Sequence, residues 1–289
     1  MLRRWCVLLA MLAVTVGTAF TAGTASASAE MLTGHAGLGG GGWPWPPPGT
    51  QSWVPGGPIN LVGRTFSQTN GQAESTNWSG YAGTTGTYTG VSATWTQPKG
   101  TCSSGDQYAA FWVGLDGYSS STVEQTGTEV DCIGRTAEYY AWWEMYPGAS
   151  VELSSTKYPV HALDVFNASV TWVSGSEFTL TLTDTSASPT WTATENESLS
   201  RGTAARSSAE VIAEAPCCTL FGGILPLTNF GTVNFSNAMV TPTSGSAEAI
   251  GSAPGVTTIT MVDNAGRDKD TVSQLTSGEN FSCTWKASS

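Results

Sequence analysis

The strongest constraint on this chain is an alternation of apolar and polar residues in steps of two, running from about Ser75 onward. In "VSATWTQP", Val91, Ala93 and Trp95 fall on one side and Ser92, Thr94 and Thr96 on the other. "EFTLTLTD" sets Phe178, Leu180 and Leu182 against Thr179, Thr181 and Thr183. Side chains alternate between the two faces of a strand, so this pattern buries one face of a sheet. "YAAFWVGLD", "YYAWWEMYP" and "NASVTWV" are further β-rich runs, separated by Gly- and Ser-rich turns. No segment carries a useful 3.6-residue apolar stripe. The expected fold is all-β: an antiparallel β-sandwich of two packed sheets, of the jelly-roll, concanavalin A-like kind.

Two different stretches precede this domain, which is expected over 71–289. Residues 1–27 carry Arg3 and Arg4, an apolar run from Trp5, and Ala25-Ser26-Ala27, the order of a signal peptide. A membrane anchor is the alternative, but apolarity weakens after Val16 and the exit is lined by small residues. Residues 28–70, with "GLGGGGWPWPPPGTQSWVPGGP", hold Gly and Pro at densities that defeat helix and sheet. They read as a linker or pro-segment, or as an arm packing Trp43, Trp45 and Trp53 on the domain. The reading is therefore a secreted protein with no membrane association after signal removal, and a monomer.

Charge narrows the function classes. Acids outnumber bases 22 to 11, and only 11% of residues are charged, against about 25% in a typical soluble domain. Without clustered Lys and Arg, nucleic acid is excluded as a partner. Two histidines, His35 and His161, and no CxxC spacing leave no basis for a metal site or other cofactor, and they disfavour a Ser-His-Asp triad. Export permits disulfides. Cys102 with Cys132 is the favoured pair, because they flank a hairpin-like stretch. Cys217 and Cys218 are adjacent; one reaches Cys283, or they bond to each other.

Several strand faces carry more than packing. In "AEYYAWWEMYP", Glu138, Tyr140, Trp142, Glu144 and Tyr146 share one face, and Tyr139, Ala141, Trp143 and Met145 the other. The first face is too aromatic for bulk water and too charged for a core, which suits a ligand groove. In "SSAEVIAEAP", Ser208, Glu210, Ile212 and Glu214 face away from Ala209, Val211 and Ala213. Glu210 and Glu214 then lie about 13 Å apart, too far to share a proton. Gln125 alternates with Val123 and Gly127 on a mainly apolar face. Each face, taken singly, also fits an ordinary solvated strand.

Five motifs in order make the pattern specific: "NWSGYAG" (77–83), "FWVGLDG" (111–117), "EQTG" (124–127), "YYAWWEMYP" (139–147) and "AEVIAEAP" (209–216). Together they resemble the eqolisins, or glutamic peptidases, as a secreted, bacterial-type member. The resemblance implies an acid-acting endopeptidase on two seven-stranded antiparallel sheets, with polypeptide substrates. It assigns Gln125 and Glu210 as the catalytic pair. It places Trp78, Trp112, Asp116, Glu129, Trp142, Glu144, Tyr146 and Glu214 along the cleft as substrate-binding residues. The chain departs from the family in Val211, where Trp is usual, and in Glu129, where Asp is common. Val211 should point away from Glu210 and alter packing rather than chemistry. A lectin-like or carbohydrate-binding sandwich without proteolytic activity is the rival reading, since aromatic grooves also suit sugars.

Overall fold

The computed structural model describes residues 71–217 and 223–289. The expected signal peptide at 1–27, the stretch at 28–70 and Cys218 lie outside the described residues. Among the described residues the regular structure is almost wholly strand, arranged in two sheets of eight. The first sheet runs in the order β1 (Gln72–Ser75), β14 (Val256–Met261), β2 (Trp78–Gly83), β11 (Ala209–Glu214), β4 (Gln107–Leu115), β5 (Val123–Ile133), β6 (Thr136–Tyr146) and β7 (Val151–Glu152). The second runs β10 (Trp191–Ser198), β9 (Glu177–Asp184), β8 (Val165–Ser174), β3 (Tyr88–Thr96), β12 (Thr232–Pro242), β16 (Phe281–Trp285) and β15 (Asp270–Val272), with β13 (Glu248–Ala249) beside β12.

The sandwich expected from period-two patterning is present, with two corrections. Each sheet has eight strands rather than seven, because short edge strands extend both. One pairing is parallel: β1 runs alongside β14, from Gln72 opposite Thr258 to Ser75 opposite Met261.

The core between the sheets takes the faces that alternation assigned to it. Val91, Ala93 and Trp95 from β3, and Phe178, Leu180 and Leu182 from β9, are all buried there. From the first sheet come Phe111, Val113, Ala141, Met145, Ala209, Val211 and Ala213. Val211 thus packs inward, on the side of its strand opposite Glu210. Trp95 sits 6.1 Å from both Phe166 and Phe235, and Phe235 stacks on Phe281 at 5.0 Å. Burying each such ring contributes about 1.5–3 kcal/mol. The Trp95 indole N–H donates to Thr128 Oγ1 at 2.9 Å, and Thr128 donates on to Gln97 Oε1 at 2.6 Å. The polar end of this large ring is therefore satisfied inside the core.

Cys102 and Cys132 form the expected disulfide, tying the segment before β4 to the end of β5. Cys283 is a free, buried thiol, so neither Cys217 nor Cys218 bridges to it. Cys217 is disulfide-bonded as well. The Cys102–Cys132 bond spans 30 positions, a loop whose closure stabilises by about 3–4 kcal/mol on chain-entropy grounds. Replacing both cysteines by serine should lower the melting temperature by about 10 °C, read by calorimetry at acid pH.

Candidate active site

The outer face of the first sheet carries a second apolar cluster: Trp78, Ala82, Ala110, Trp112, Tyr118, Val123, Tyr140, Trp142, Ile212 and Ile259. Among these stand the carboxyl and amide side chains that the sequence singled out. Register explains how they meet. Glu210 on β11 lies opposite Gly114 on β4, Gly114 opposite Gln125 on β5, and Gln125 opposite Glu144 on β6. One row across four strands therefore reads Glu210, Gly114, Gln125, Glu144. Four residues along, a second row reads Glu214, Ala110, Glu129, Tyr140. Between them lies a third of Ile212, Trp112, Gly127 and Trp142.

Gly114 is the gap in the first row. It places Glu210 and Gln125 two strand spacings, about 10 Å, apart at their Cα atoms. A Cβ at Gly114 would sit 2.8 Å from the Trp112 ring and 3.1 Å from Gln125 Cβ. The Trp112 ring and Gln125 therefore close in on Gly114, between the carboxyl on one side and the amide on the other. The Gln125 amide N–H donates to Glu144 Oε2 at 2.8 Å, which fixes the plane of the amide. Neither carboxyl oxygen of Glu210 has a hydrogen-bond partner.

Glu214 is held differently. It accepts from the Trp112 indole N–H at 2.8 Å and from Asn77 Nδ2 at 3.2 Å. Trp78 packs edge-on against Trp112, with ring centroids 4.9 Å apart. Tyr146 packs against the same cluster, half-buried at the end of β6. Glu129 is buried on β5 two residues from Asp131, whose carboxylate accepts from the Tyr140 hydroxyl at 3.2 Å. Nine of the ten residues named from sequence thus share one face. Asp116 is engaged elsewhere: its carboxylate accepts the backbone N–H groups of Arg206 at 2.6 Å and Ser207 at 2.9 Å. Sequence reading put Tyr140 on the groove face without giving it a role, and passed over Gly114, Asn77 and Asp131. Gly114 and Asn77 had a signal, as letters inside "FWVGLDG" and "NWSGYAG".

Burial is the largest influence on each shifted carboxyl of the site, and it raises them all. Burial raises Glu210 well above the ordinary carboxyl range, and the nearby Asp116 and Glu124 charges add to it. The Ser208 hydroxyl pulls the other way without reaching hydrogen-bond geometry, and burial outweighs it. Burial raises Glu144 well above its usual value, with Glu214 adding and the Gln125 bond opposing. Burial likewise raises Glu214, against its bonds to Trp112 and Asn77. Glu129 is pushed up to about 7 by burial, with the Tyr140 and Asp131 bonds opposing. Glu124, on the reverse face of β5, rises to about 9 through burial and then the Asp116 charge. No cation offsets any of these shifts. The face can therefore hold protonated carboxyls at pH values where an exposed acid would be ionised.

Known proteins supply the context. The Peptidase A4 family profile matches residues 76–285. Among solved structures, scytalido-glutamic peptidase with a transition state analog inhibitor is 24% identical, covering 73% of this chain and 98% of its own at a TM-score of 0.64. SCP-B, a member of the eqolisin family in complex with the tripeptide Ala-Ile-His, has the same identity and coverages at a TM-score of 0.59. Aspergilloglutamic peptidase from Aspergillus niger is 23% identical over 62% of this chain and 99% of its own, at 0.55. At these identities the likeness establishes the shared sandwich. No curated protein matches the chain.

Two outcomes follow from the geometry and the charges. Gly114→Ala should abolish activity of the site while circular dichroism still reports a folded sandwich, because its methyl has no room beside the Trp112 ring and Gln125 and displaces them. The second concerns stability. Carboxyls raised by folding contribute stability that is whole below their unfolded values and is lost as pH rises through their folded values. Glu129 and Asp270, both raised to about 7, and Glu124, raised to about 9, set that window at roughly pH 4 to 9. Each group costs about 1.4 kcal/mol per pH unit between its unfolded and folded values. Melting temperature should be highest near pH 4 and fall continuously towards pH 8.

Proposed function

The chain belongs to the Peptidase A4 family, and from that premise we propose that it is a secreted, acid-acting glutamic endopeptidase in which Glu210 and Gln125 attack a peptide bond through one water. The observation that carries this reading is the row Glu210–Gly114–Gln125, with both Glu210 oxygens unpartnered and facing a residue that has no side chain.

Peptide hydrolysis needs an activated water, a home for the developing oxyanion and a proton for the leaving nitrogen. Glu210 acts through its ionised form, which burial makes the minor one in acid: it takes a proton from the water as the water oxygen bonds to the scissile carbonyl carbon. The carbonyl π pair moves onto oxygen, where the Gln125 amide N–H donates to it. Glu210 then returns its proton to the nitrogen as the C–N bond breaks and the carbonyl re-forms. A preorganised donor of this kind contributes about 3–4 kcal/mol when removed from other hydrolases. A neutral amide supplies that donor at any pH, whereas a carboxyl in the same place would have to stay protonated.

Trp78, Trp112 and Trp142, all buried, and the half-buried Tyr146 line the side of the sheet assigned to an extended polypeptide, with Glu129 and Glu214 among them as polar contacts. Glu144 acts by fixing the Gln125 amide. Protonated, it still accepts from Gln125 through Oε2 and places no charge near the developing oxyanion. Activity therefore declines as rising pH ionises the acids of this face; Glu129 does so near pH 7. Residues 1–27 direct export, and the mature chain of nine bases and 22 acids works as a monomer where external acidity protonates many of its carboxyls.

The test is digestion of casein at low pH in the presence of pepstatin. The wild-type protein should cleave internal bonds and be insensitive to the inhibitor. Gln125→Ala and Glu210→Gln should each lose at least about a thousandfold in kcat/KM with an unchanged circular dichroism spectrum. Cleavage at wild-type rates by either variant, or binding to insoluble polysaccharide without any proteolysis, contradicts the reading.

A further inference from the structure

Glu210 sits one residue into β11, so the segment that leads into the strand decides where its carboxyl points. That segment is fastened from both sheets. From the first sheet, Asp116 follows directly on β4 with a left-handed backbone, φ 70°. Its carboxylate accepts the N–H groups of Arg206 and Ser207, and also the hydroxyls of Ser207 and Ser120, both at 3.1 Å. Its own N–H donates to the Ser208 carbonyl at 3.0 Å. Asp116 thus reaches three consecutive residues that end two positions before Glu210, while standing two positions after Gly114.

From the second sheet, the Tyr88 N–H donates to the Arg206 carbonyl at 2.8 Å. The Arg206 guanidinium lies over the Trp172 ring of β8, 3.8 Å from its centroid. Arg206 itself has a left-handed backbone, φ 53°, a conformation that costs a residue with a side chain and persists only where neighbours enforce it. Its Nη1 is buried without a hydrogen-bond partner, so the ring face is what stabilises the charge there. The Trp172 indole N–H donates to Gly175 O at 3.0 Å, which holds the ring in place.

We propose that Asp116, Arg206 and Trp172 form a clamp that positions Glu210: Asp116 grips the backbone at 206–208 from the catalytic sheet while Arg206, stacked on Trp172, pins it to the opposite sheet. This rests on the reading of Glu210 as the group that handles the proton, and it makes Trp172 a positioning residue on the sheet that carries none of the reacting groups. Asp116 is fully buried and its carboxylate accepts four hydrogen bonds within the protein, so its part in the reaction is to hold the loop rather than to touch substrate. An error of about 1 Å in the placement of a reacting group can cost a hundredfold in rate without changing substrate binding. The signature of the clamp is therefore a loss in kcat at nearly constant KM.

The experiment is steady-state kinetics on a quenched fluorescent peptide at the pH of maximal activity, with folded protein quantified by near-UV circular dichroism. Trp172→Leu, which removes the ring face, should lower kcat about tenfold and leave KM within about twofold. Trp172→Phe, which keeps an aromatic face, should recover most of that loss, which a general loosening of the fold would not predict. Asp116→Asn, which turns one acceptor into a donor against two N–H groups, should lower kcat about a hundredfold. Wild-type kcat in Trp172→Leu and Asp116→Asn overturns the clamp. So does a loss that appears only in KM, or one equal to the loss of folded protein in every variant. Glu210→Gln run alongside separates the two failures. If that variant stays active, the assignment of Glu210 falls; if it is dead while the clamp variants are normal, only the clamp falls.

Discussion

The register between β11, β4 and β5 is the constraint on which the rest depends. Side chains alternate along each strand, so a slip of one residue in either pairing would send Glu210 or Gln125 into the core. The core prevents this from behind. Ala209, Val211 and Ala213 on one strand, and Phe111, Val113 and Leu115 on the next, are packed between the sheets and can occupy only that face. The apolar half of the pattern thus fixes the position of the polar half. Residues 85 positions apart in the chain come to share a row because their neighbours are hydrophobic.

A face with so many buried carboxyls and no nearby cation is an unusual thing for a protein to stabilise. Buried charges ordinarily require a partner, and here the alternative is the proton. Glu210, Glu144 and Glu214 are each raised by burial first, with neighbouring acids adding to it: Asp116 and Glu124 at Glu210, Glu214 and Glu129 at Glu144, and Glu129 at Glu214. This makes the low charge content intelligible in local terms. Cations along the trough would pull these carboxyls down and ionise them in acid, and the chain has only 11 Lys and Arg to place anywhere. The same economy links chemistry to stability, because conditions that ionise the trough also load unpaired charge into the sheet.

Much of this was legible in the sequence, for a physical reason. Period-two alternation reports which face of a strand is buried, and β3, β6, β9 and β11 each split their faces as the pattern indicates. The split of β6 placed Tyr140, Trp142 and Glu144 together without knowledge of any partner strand. What alternation cannot report is which strands are neighbours. The eighth strand of each sheet and the parallel pairing of β1 with β14 depend on contacts between distant short segments with little pattern of their own. Asp116 shows the other limit. Its motif placed it in the trough, but its carboxylate turns to backbone N–H groups 90 positions away, which no local pattern encodes. Gly114 was visible only as a letter inside a motif; its meaning as the space between an acid and an amide needed the row.

The account reduces to a claim about one small volume above Gly114, bordered by Glu210 and Gln125. A crystal structure with a peptide whose scissile amide is replaced by a tetrahedral hydroxymethylene group tests it directly. The account predicts that the hydroxyl lies over Gly114, within hydrogen-bonding distance of both a Glu210 oxygen and the Gln125 amide. A peptide bound with its hydroxyl out of reach of either side chain, or along another face of the sandwich, would contradict it.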